Sequence, residues 1–254
     1  MPDVQLARRG PGNLILSVDG VPHDLTFPPT GNLEHIVLQI LSGKEYPTLR
    51  LPDWEVRTII DVGANVGATA VFFALAYPNA KIHCFEPSPS TYAHLESNVS
   101  WLPGVTAHPF GLFDEAAEVP LYGGTSQCAQ ASVALSVETR DDVSETIKLL
   151  PAREVIEAVE GPAILKLDTE GCEVPVLRDL GELVDAFDVI YVEWHSDRDR
   201  RRIDALLGER FALWRTQASA VHRGTAAYLH SRVLQAHPRL GLLEIPEVKV
   251  PSAA

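Results

Sequence analysis

The stretch Thr58-Ile59-Ile60-Asp61-Val62-Gly63-Ala64-Asn65-Val66-Gly67 decides the fold. Its β-branched residues predict a buried strand, and its glycines predict a tight turn before an apolar helix over residues 68–76. A strand, a glycine-containing turn and a helix begin a nucleotide-binding βαβ unit, in which glycines let the backbone approach the ligand and the helix N-terminus offers free N–H groups. Because ordinary α/β sheets also contain such turns, the turn alone leaves a purely structural role open.

The composition bounds the class of protein. The chain has 254 residues, of which 46% are hydrophobic, enough for one large domain or two small ones. Its formal net charge of -13 argues against a nucleic acid partner, because such partners are bound through Lys and Arg. No apolar run reaches about 20 residues, so we expect no membrane span and no membrane partner. Three widely spaced cysteines and an N-terminus without a signal peptide favour a cytoplasmic location.

Predicted strands and helices alternate from residue 55 onward. We expect strands over residues 58–62, 81–85, 105–109, 163–167 and 189–192, with helices between them, one of which covers residues 152–159. Such repeated βα units predict a doubly wound, mostly parallel sheet with helices on both faces. Residues 211–215 and 225–229 predict a closing antiparallel hairpin.

The residues before this alternation predict a small extension. Asp19-Gly20 separates two alternating segments and predicts a β-hairpin, and residues 33–41 have helical spacing. We therefore divide the chain into an N-terminal hairpin and helix extension over residues 1–54, a main domain over 55–235 and a C-terminal tail over 236–254. Within the main domain, the glycine-containing residues 123–127 interrupt the alternation and predict a flap over the site.

Acidic residues follow the predicted strands. Ligands of parallel α/β sheets bind beyond the carboxyl ends of the strands, so these acids mark the expected site. They are Asp61, Glu86, Asp114, Asp168 with Glu170, and Glu193 with His195. An acid at such a position can instead cap a helix, and that alternative is strongest for Asp114. Lys166, inside a predicted strand, is expected either to pair with a buried acid or to extend its head to solvent.

The turn favours S-adenosylmethionine over a dinucleotide. A dinucleotide fingerprint needs glycine where Asn65 stands, because the middle glycine lets a pyrophosphate approach. S-adenosylmethionine has no pyrophosphate, so Gly63, Asn65 and Gly67 suit it better. Glu86 is predicted to accept hydrogen bonds from the ribose hydroxyls, and Asp61 to orient the turn and face the ammonium group.

Two residues after the third predicted strand are expected to contact the adenine of the cofactor. Phe113 is expected beside the ring, and Asp114 is expected to accept a hydrogen bond from the adenine amino group.

Five segments together resemble the FkbM family of S-adenosylmethionine-dependent methyltransferases. They are Asp61-Val62-Gly63-Ala64-Asn65-Val66-Gly67, Phe85-Glu86-Pro87, Gly111-Leu112-Phe113-Asp114, Leu165-Lys166-Leu167-Asp168-Thr169-Glu170-Gly171-Cys172-Glu173 and Val192-Glu193-Trp194-His195. The resemblance implies a class I methyltransferase (Rossmann-like) fold, with a seven-stranded sheet whose last strand is antiparallel. It also implies methyl transfer to oxygen, often on a sugar or a polyketide-type natural product. Cys172 departs from the family pattern, which usually has alanine there.

Methyl transfer to a hydroxyl needs a base or a metal, because an alcohol is a weak nucleophile at neutral pH. His195 is the predicted general base, since an unperturbed imidazole titrates at about pH 6.5. Glu193 shares its face of the strand end and is expected either to orient the imidazole or to bind the substrate, and Asp168 is the third predicted catalytic residue. Glu170 and Trp194 are predicted to bind the acceptor.

Three other functions stay open on the sequence alone. Asp168, Glu193 and His195, with Glu170, form a possible Mg²⁺ site for metal-assisted O-methyl transfer, because hard ions prefer oxygen ligands. The other two alternatives are an NAD-dependent oxidoreductase of Rossmann type and a catalytically inactive cofactor-binding module. A small-molecule hydroxyl acceptor is the expected partner, and a homodimer is one option for the oligomeric state.

Overall fold

The structure is a computed structural model that describes residues 3–29, 32–122 and 143–240. The predicted flap over residues 123–127 lies outside the described residues, as do residues 241–254 of the predicted tail. None of the helices in the described ranges is both long enough and apolar enough to cross a bilayer.

An antiparallel sheet and a helix form the N-terminal part. The sheet consists of β1 (Val4–Gly10), β2 (Asn13–Val18) and β3 (Val21–Thr26), and α1 (Leu33–Leu41) follows. The predicted hairpin is confirmed, because β2 pairs with β3 around Asp19 and Gly20, which both have positive φ. The sequence does not predict β1, because none of its side chains is buried and no apolar alternation marks it.

The other elements follow in chain order. The strands are β4 (Thr58–Val62), β5 (Lys81–Phe85), β6 (Val105–His108), β7 (Gly111–Phe113), β8 (Ala117–Tyr122), β9 (Val143–Pro151), β10 (Ala163–Leu167), β11 (Val189–Trp194), β12 (Phe211–Ala220) and β13 (Arg223–His230). The helices are α2 (Ala68–Ala76), α3 (Pro89–Val99), α4 (Ala152–Val155), α5 (Glu173–Leu180), α6 (Asp197–Leu207) and α7 (Ser231–Ala236).

Seven strands form the central sheet in the order β12-β13-β11-β10-β4-β5-β6. The five strands from β11 to β6 are parallel, whereas β13 runs antiparallel to β11 and to β12. The predicted fold class is therefore confirmed, including the antiparallel last strand. Strands β7, β9 and β8 form a separate small sheet in that order.

The two faces of the central sheet carry separate cores. Every residue of β4 and β10 is buried, as is typical of parallel strands covered by helices on both sides. Ile59 and Ile164 lie in the core that also contains residues of α1, α2 and α3. Ile60 and Leu165 lie in the opposite core, with residues of α5 and α6. The alternation of the β-strand thus anchors β4 and β10 on both faces.

The strand order changes direction between β4 and β10. Successive strands β5 and β6 extend the sheet on one side, and β11 extends it on the other. At such a switch point the loops that follow two neighbouring strands diverge and leave a crevice, which is where ligands of these sheets bind. The loops after β4 and β10 therefore bound the expected site.

Some predicted boundaries are wrong. The helix predicted over residues 152–159 ends at Val155, because the next residue, Ile156, has left the helical conformation and is buried in the core. The closing hairpin is longer than predicted. Helix α7 follows it directly, at residues for which the sequence predicts no helix. These ends depend on packing against the sheet, which local sequence patterns do not show.

Candidate active site

The turn after β4 is compact, and three of its residues have positive φ. Gly63, Asn65 and Gly67 have φ of 77°, 51° and 86°. The Gly63 N–H donates to the carbonyl of Phe85 at 2.9 Å. A Cβ added to Gly63 would lie 1.8 Å from the carbonyl oxygen of Asp168. Only glycine therefore lets this turn approach the loop after β10.

Glu86 holds the same turn from the end of β5. Its Oε2 accepts the N–H of Asn65 at 2.9 Å, and its Oε1 accepts the N–H of Ser88 at 2.9 Å. Burial raises the pKa of Glu86 to about 7, although these two hydrogen bonds and Lys166 lower it. Each carboxylate oxygen keeps a further lone pair, which suits a ribose hydroxyl.

Asn98 of α3 ties the turn to the N-terminal sheet. Its side-chain amide donates to the carbonyls of Val66 and Thr26, both at 2.7 Å. Its Oδ1 accepts the backbone N–H of Thr26 at 2.8 Å. Sequence reasoning missed Asn98, because its partners are 32 and 72 residues away along the chain.

Lys166 and Asp61 form a buried ion pair, which settles the two alternatives for Lys166. Its Nζ lies 3.0 Å from Asp61 Oδ1 and 3.7 Å from Asp168 Oδ2, and donates to the carbonyl of Gly63 at 2.6 Å. Burial raises the pKa of Asp61, although Lys166 opposes that shift. The lysine thus joins the ends of β4 and β10 through three groups.

Asp168 and Glu193 lie close together at the ends of β10 and β11. Burial raises the pKa of Glu193 to about 10, and Asp168 adds to the rise through its charge and a hydrogen bond. Burial alone would raise the pKa of Asp168, but Lys166, Glu193 and His195 lower it. The Tyr46 hydroxyl also donates to Asp168 Oδ2 at 3.0 Å. The two opposite shifts favour the ionised form of Asp168 and the protonated form of Glu193.

His195 lies among three carboxylates. Its Nδ1 is 3.5 Å from Glu170 Oε2, and its Nε2 is 3.6 Å from Glu173 Oε1 and 3.8 Å from Glu193 Oε2. Burial lowers the pKa of His195, but Glu173 and Glu170 outweigh burial and the net shift is upward. The predicted neighbours of His195 are thus brought together, with one acid more than expected.

Glu173 is that additional acid, and it shapes the loop after β10. Its side chain is 2% exposed, and it accepts hydrogen bonds from the N–H and hydroxyl of Thr169 and from the N–H of Gly171. Glu173 therefore fixes the loop that carries Asp168 and Glu170. Its place within the segment Leu165 to Glu173 was the available sequence signal.

Arg223 is a second residue that sequence reasoning missed. Its Nη2 donates to both oxygens of Glu170 at 2.8 and 3.0 Å, and its Nε donates to Glu193 Oε1 at 3.0 Å. Because β13 is antiparallel to β11, its first residue lies at the carboxyl end of β11, where Trp194 pairs with Gly224. Only the pairing register reveals this position.

Four of these groups converge closely enough to hold a cation. Ligand atoms of Asp168, Glu170, Glu193 and His195 all lie within 4.8 Å of one another. Three oxygen ligands and one imidazole suit a hard or borderline divalent ion.

The structure places the other predicted residues away from this cluster. Phe113, at the end of β7, packs on the small core of Leu121, Ile147 and Leu149. Asp114 is exposed, and its charge adds to the rise in the pKa of the Cys172 thiol that burial and then Glu173 cause. Trp194 is 6% exposed and packs in the core on the α5 and α6 side. The cofactor and substrate roles of these residues stay predictions.

The groups around the turn fit S-adenosylmethionine. The turn leaves no room for a Cβ at Gly63, Glu86 offers free lone pairs, and the buried Asp61 Oδ2 accepts no hydrogen bond within the described residues. A Rossmann-like sheet of seven strands with an antiparallel last strand, this turn and an acid at the end of the second strand are the features expected of a class I S-adenosylmethionine-dependent methyltransferase.

A comparison with protein families agrees with that class. The model of the methyltransferase FkbM domain matches residues 61–234, more than half of the chain. The chain belongs to the FkbM methyltransferase family, and S-adenosylmethionine is its methyl donor.

Known relatives are distant. The hexuronic acid methyltransferase AglP of Haloferax volcanii is 29% identical over 152 residues, which cover 59% of this chain and 60% of that protein. The methyltransferase sdnD of Sordaria araneosa is 29% identical over 188 residues, covering 60% of this chain and 72% of that protein. The match thus spans less than two thirds of AglP.

The fold is also found among solved structures. The methyltransferase FkbM from Methylobacillus flagellatus KT superposes with a TM-score of 0.53 at 15% identity. The superposition covers 75% of this chain and 48% of that one. At this identity the likeness shows the fold alone.

Proposed function

We propose that this methyltransferase acts on a hydroxyl of a small molecule, either a sugar or a polyketide-type natural product. The observation that carries the proposal is the convergence of His195, Asp168 and Glu193 beside the cofactor turn. A hydroxyl needs such proton-accepting groups because it must lose its proton as the new C–O bond forms.

His195 is the general base in this proposal. Glu170 and Glu173 stabilise the imidazolium that forms when the ring takes the hydroxyl proton. The ionised Asp168 offers an acceptor to the same hydroxyl and so orients it. When bound, S-adenosylmethionine supplies the methyl group on a positive sulfonium.

The relatives support a small acceptor. AglP carries a name that specifies a hexuronic acid, which is a sugar acid. The net charge of -13 also favours a small molecule over a nucleic acid.

Transfer of labelled methyl groups tests the proposal. Sugars, sugar acids and hydroxylated lactones are incubated with the protein and ¹³C-methyl S-adenosylmethionine, and NMR identifies the methylated atom. We expect a methoxy signal. A methyl group on carbon or nitrogen would refute O-transfer, and calorimetric binding of NAD without binding of S-adenosylmethionine would restore the oxidoreductase alternative.

Metal-assisted O-methyl transfer is the second candidate. The 4.8 Å grouping of Asp168, Glu170, Glu193 and His195 favours it, because a divalent ion there would acidify a bound hydroxyl. Addition of EDTA would then abolish the transfer, and Mg²⁺ would restore it. Equal rates in both conditions would leave His195 as the base without a metal.

A further inference from the structure

Arg223 lies closer than His195 to two acids of the site. Its Nη2 is 2.8 Å from Glu170 Oε1, and its Nε is 3.0 Å from Glu193 Oε1. The nitrogens of His195 are 3.5 and 3.8 Å from oxygens of the same two acids. The Arg223 side chain is only 31% exposed, and water screens a partly buried pair less than an exposed one. The guanidinium is therefore the cation that Glu170 and Glu193 bind directly.

The guanidinium contacts oxygens that a metal ion would need. The acid cluster, by which we mean Asp168, Glu170, Glu193 and His195, has its ligand atoms within 4.8 Å of one another. Arg223 donates to both oxygens of Glu170 and to one oxygen of Glu193. A divalent ion there would share these two acids with a guanidinium that stays charged, since arginine is not deprotonated in proteins. The arginine and the ion thus compete for one place.

The β12–β13 hairpin holds the backbone of Arg223 in position. Arg223 is the first residue of β13, and the next residue, Gly224, pairs with Trp194 at the end of β11. A Cβ added to Gly224 would lie 2.8 Å from Cζ2 of Trp194, so the hairpin backbone lies directly against that ring. On the other side of Arg223, the His222 ring lies 3.2 Å from Asp197. The fold itself thus directs this arginine to the acid cluster.

Lys166 does not supply the charge that Arg223 supplies. In the part of the chain that the structure describes, Lys166 forms its ion pairs with Asp61 at 3.0 Å and with Asp168 at 3.7 Å. The buried lysine and the half-buried arginine therefore divide the acids of the site between them. Without the arginine, its two glutamates would lack their permanent cation, and a bound divalent ion could replace that charge.

We propose that Arg223 takes the place of a divalent ion in the acid cluster, so that the enzyme transfers the methyl group without a bound metal. The inference rests on the proposed function and favours its metal-free form. Arg223 is a positioning residue, because it acts through Glu170 and Glu193 and holds these two acids around His195.

Binding of Mn²⁺ tests the inference without turnover. Wild-type protein and the Arg223→Gln variant are titrated with Mn²⁺, and EPR measures the free ion. We expect Arg223→Gln to bind Mn²⁺ at least about tenfold more tightly than wild type does. The reason is that three carboxyl groups and an imidazole then face the ion without a competing cation.

Three further variants locate the effect. Glu170→Gln, added to Arg223→Gln, should remove the gained Mn²⁺ binding, because an amide replaces a carboxylate ligand. Arg223→Lys keeps a positive charge and should exclude the ion as wild type does. Arg210→Gln removes an arginine that pairs with Asp185 at 3.0 Å outside the acid cluster, and it should bind no more Mn²⁺ than wild type.

The wild-type protein gives an answer even if Arg223→Gln does not fold, which circular dichroism shows. Its methyl transfer should be unchanged by EDTA. A rate that EDTA abolishes would overturn the inference, as would Mn²⁺ binding of equal strength in wild type and Arg223→Gln, whether tight or weak. Each of these results leaves the methyltransferase function in place. Wild-type protein that methylates no hydroxyl, with or without added metal, would instead contradict the proposed function itself.

Discussion

Glu86 Oε2 accepts the backbone N–H of Asn65 at 2.9 Å, so the acid at the end of β5 directly holds the turn at the end of β4. This carboxylate shapes the turn and is also the group predicted to bind the cofactor ribose. Both tasks need the ionised form, because a protonated carboxyl gives up an acceptor.

The affinity for S-adenosylmethionine should consequently depend on pH. Burial raises the pKa of Glu86 from 4.5 to about 7, although Ser88, Asn65 and Lys166 oppose the shift and Asp61 adds to it. Below that pH the carboxyl is protonated in the free protein, so the affinity should rise by about tenfold between pH 6 and pH 8. Calorimetry at several pH values measures this rise.

Glu86→Gln is the matched control for that experiment. The amide cannot titrate, so the variant should bind weakly and lose the part of the pH dependence that Glu86 causes. Identical pH profiles of wild type and variant would contradict the ribose role. The same raised pKa implies that the contribution of Glu86 to the free energy of unfolding falls as pH rises from 4.5 to about 7.

Gly63→Ala should abolish cofactor binding and destabilise the fold. Its φ is 77°, and the new Cβ would lie 1.8 Å from the Asp168 carbonyl oxygen. We expect a loss of about 3 kcal/mol or more, from strain and overpacking together. Gly20→Ala is the control, since Gly20 also has positive φ but nothing within 4 Å of a Cβ. Urea unfolding should give about 1 kcal/mol for the control, and equal losses would show that the clash is relieved.

Lys166→Met should destabilise by about 3–5 kcal/mol, because it leaves Asp61 charged and unpaired in the interior. The double variant Lys166→Met, Asp61→Asn should recover part of that loss, since it removes the orphaned charge as well. Chemical denaturation of the single and double variants measures the coupling. Purely additive losses would mean that the coupling free energy between Lys166 and Asp61 is zero.

His195→Ala should lower methyl transfer by about 10²- to 10⁴-fold and leave the affinity for S-adenosylmethionine nearly unchanged. His35→Ala, at an exposed position of α1, should keep full activity. The rate of wild-type protein should rise with pH through a value above 6.5, because the pKa of His195 is raised and only the neutral ring accepts a proton. Unaltered turnover in His195→Ala would remove it as the base.

Arg223→Gln should reduce the rate of transfer more than it affects cofactor affinity. The variant loses three hydrogen bonds to Glu170 and Glu193, so both acids are free to move toward His195. Arg201→Gln, at an exposed position of α6, is the control. Steady-state kinetics separate kcat from KM, and a change confined to the KM for the cofactor would place Arg223 in a different role.

The sequence predicts the centre of the sheet better than its periphery. β4 and β10 are buried on both faces, so packing requires apolar and β-branched residues there. This pattern is visible in the sequence. β1 carries no such signal, because none of its side chains is buried. Ile156 ends a helix for reasons that lie in the core rather than in the local sequence.

The same contrast holds for the site. Asp168, Glu193 and His195 lie at the carboxyl ends of neighbouring parallel strands, so parallel topology alone predicts their meeting. Arg223 and Tyr46 reach the cluster from an antiparallel strand and from the segment after α1. The positions of these two side chains depend on the strand register and on the path of the loop. No local sequence pattern shows either of them.

Asn98 has a consequence for any attempt to shorten this enzyme. One amide joins the end of β3 to the cofactor turn through the carbonyls of Thr26 and Val66. A truncated chain that begins at residue 55 would keep every residue of the turn but leave this amide half satisfied. The first fifty residues thus support the cofactor turn. Their removal should weaken cofactor binding before it unfolds the rest of the domain.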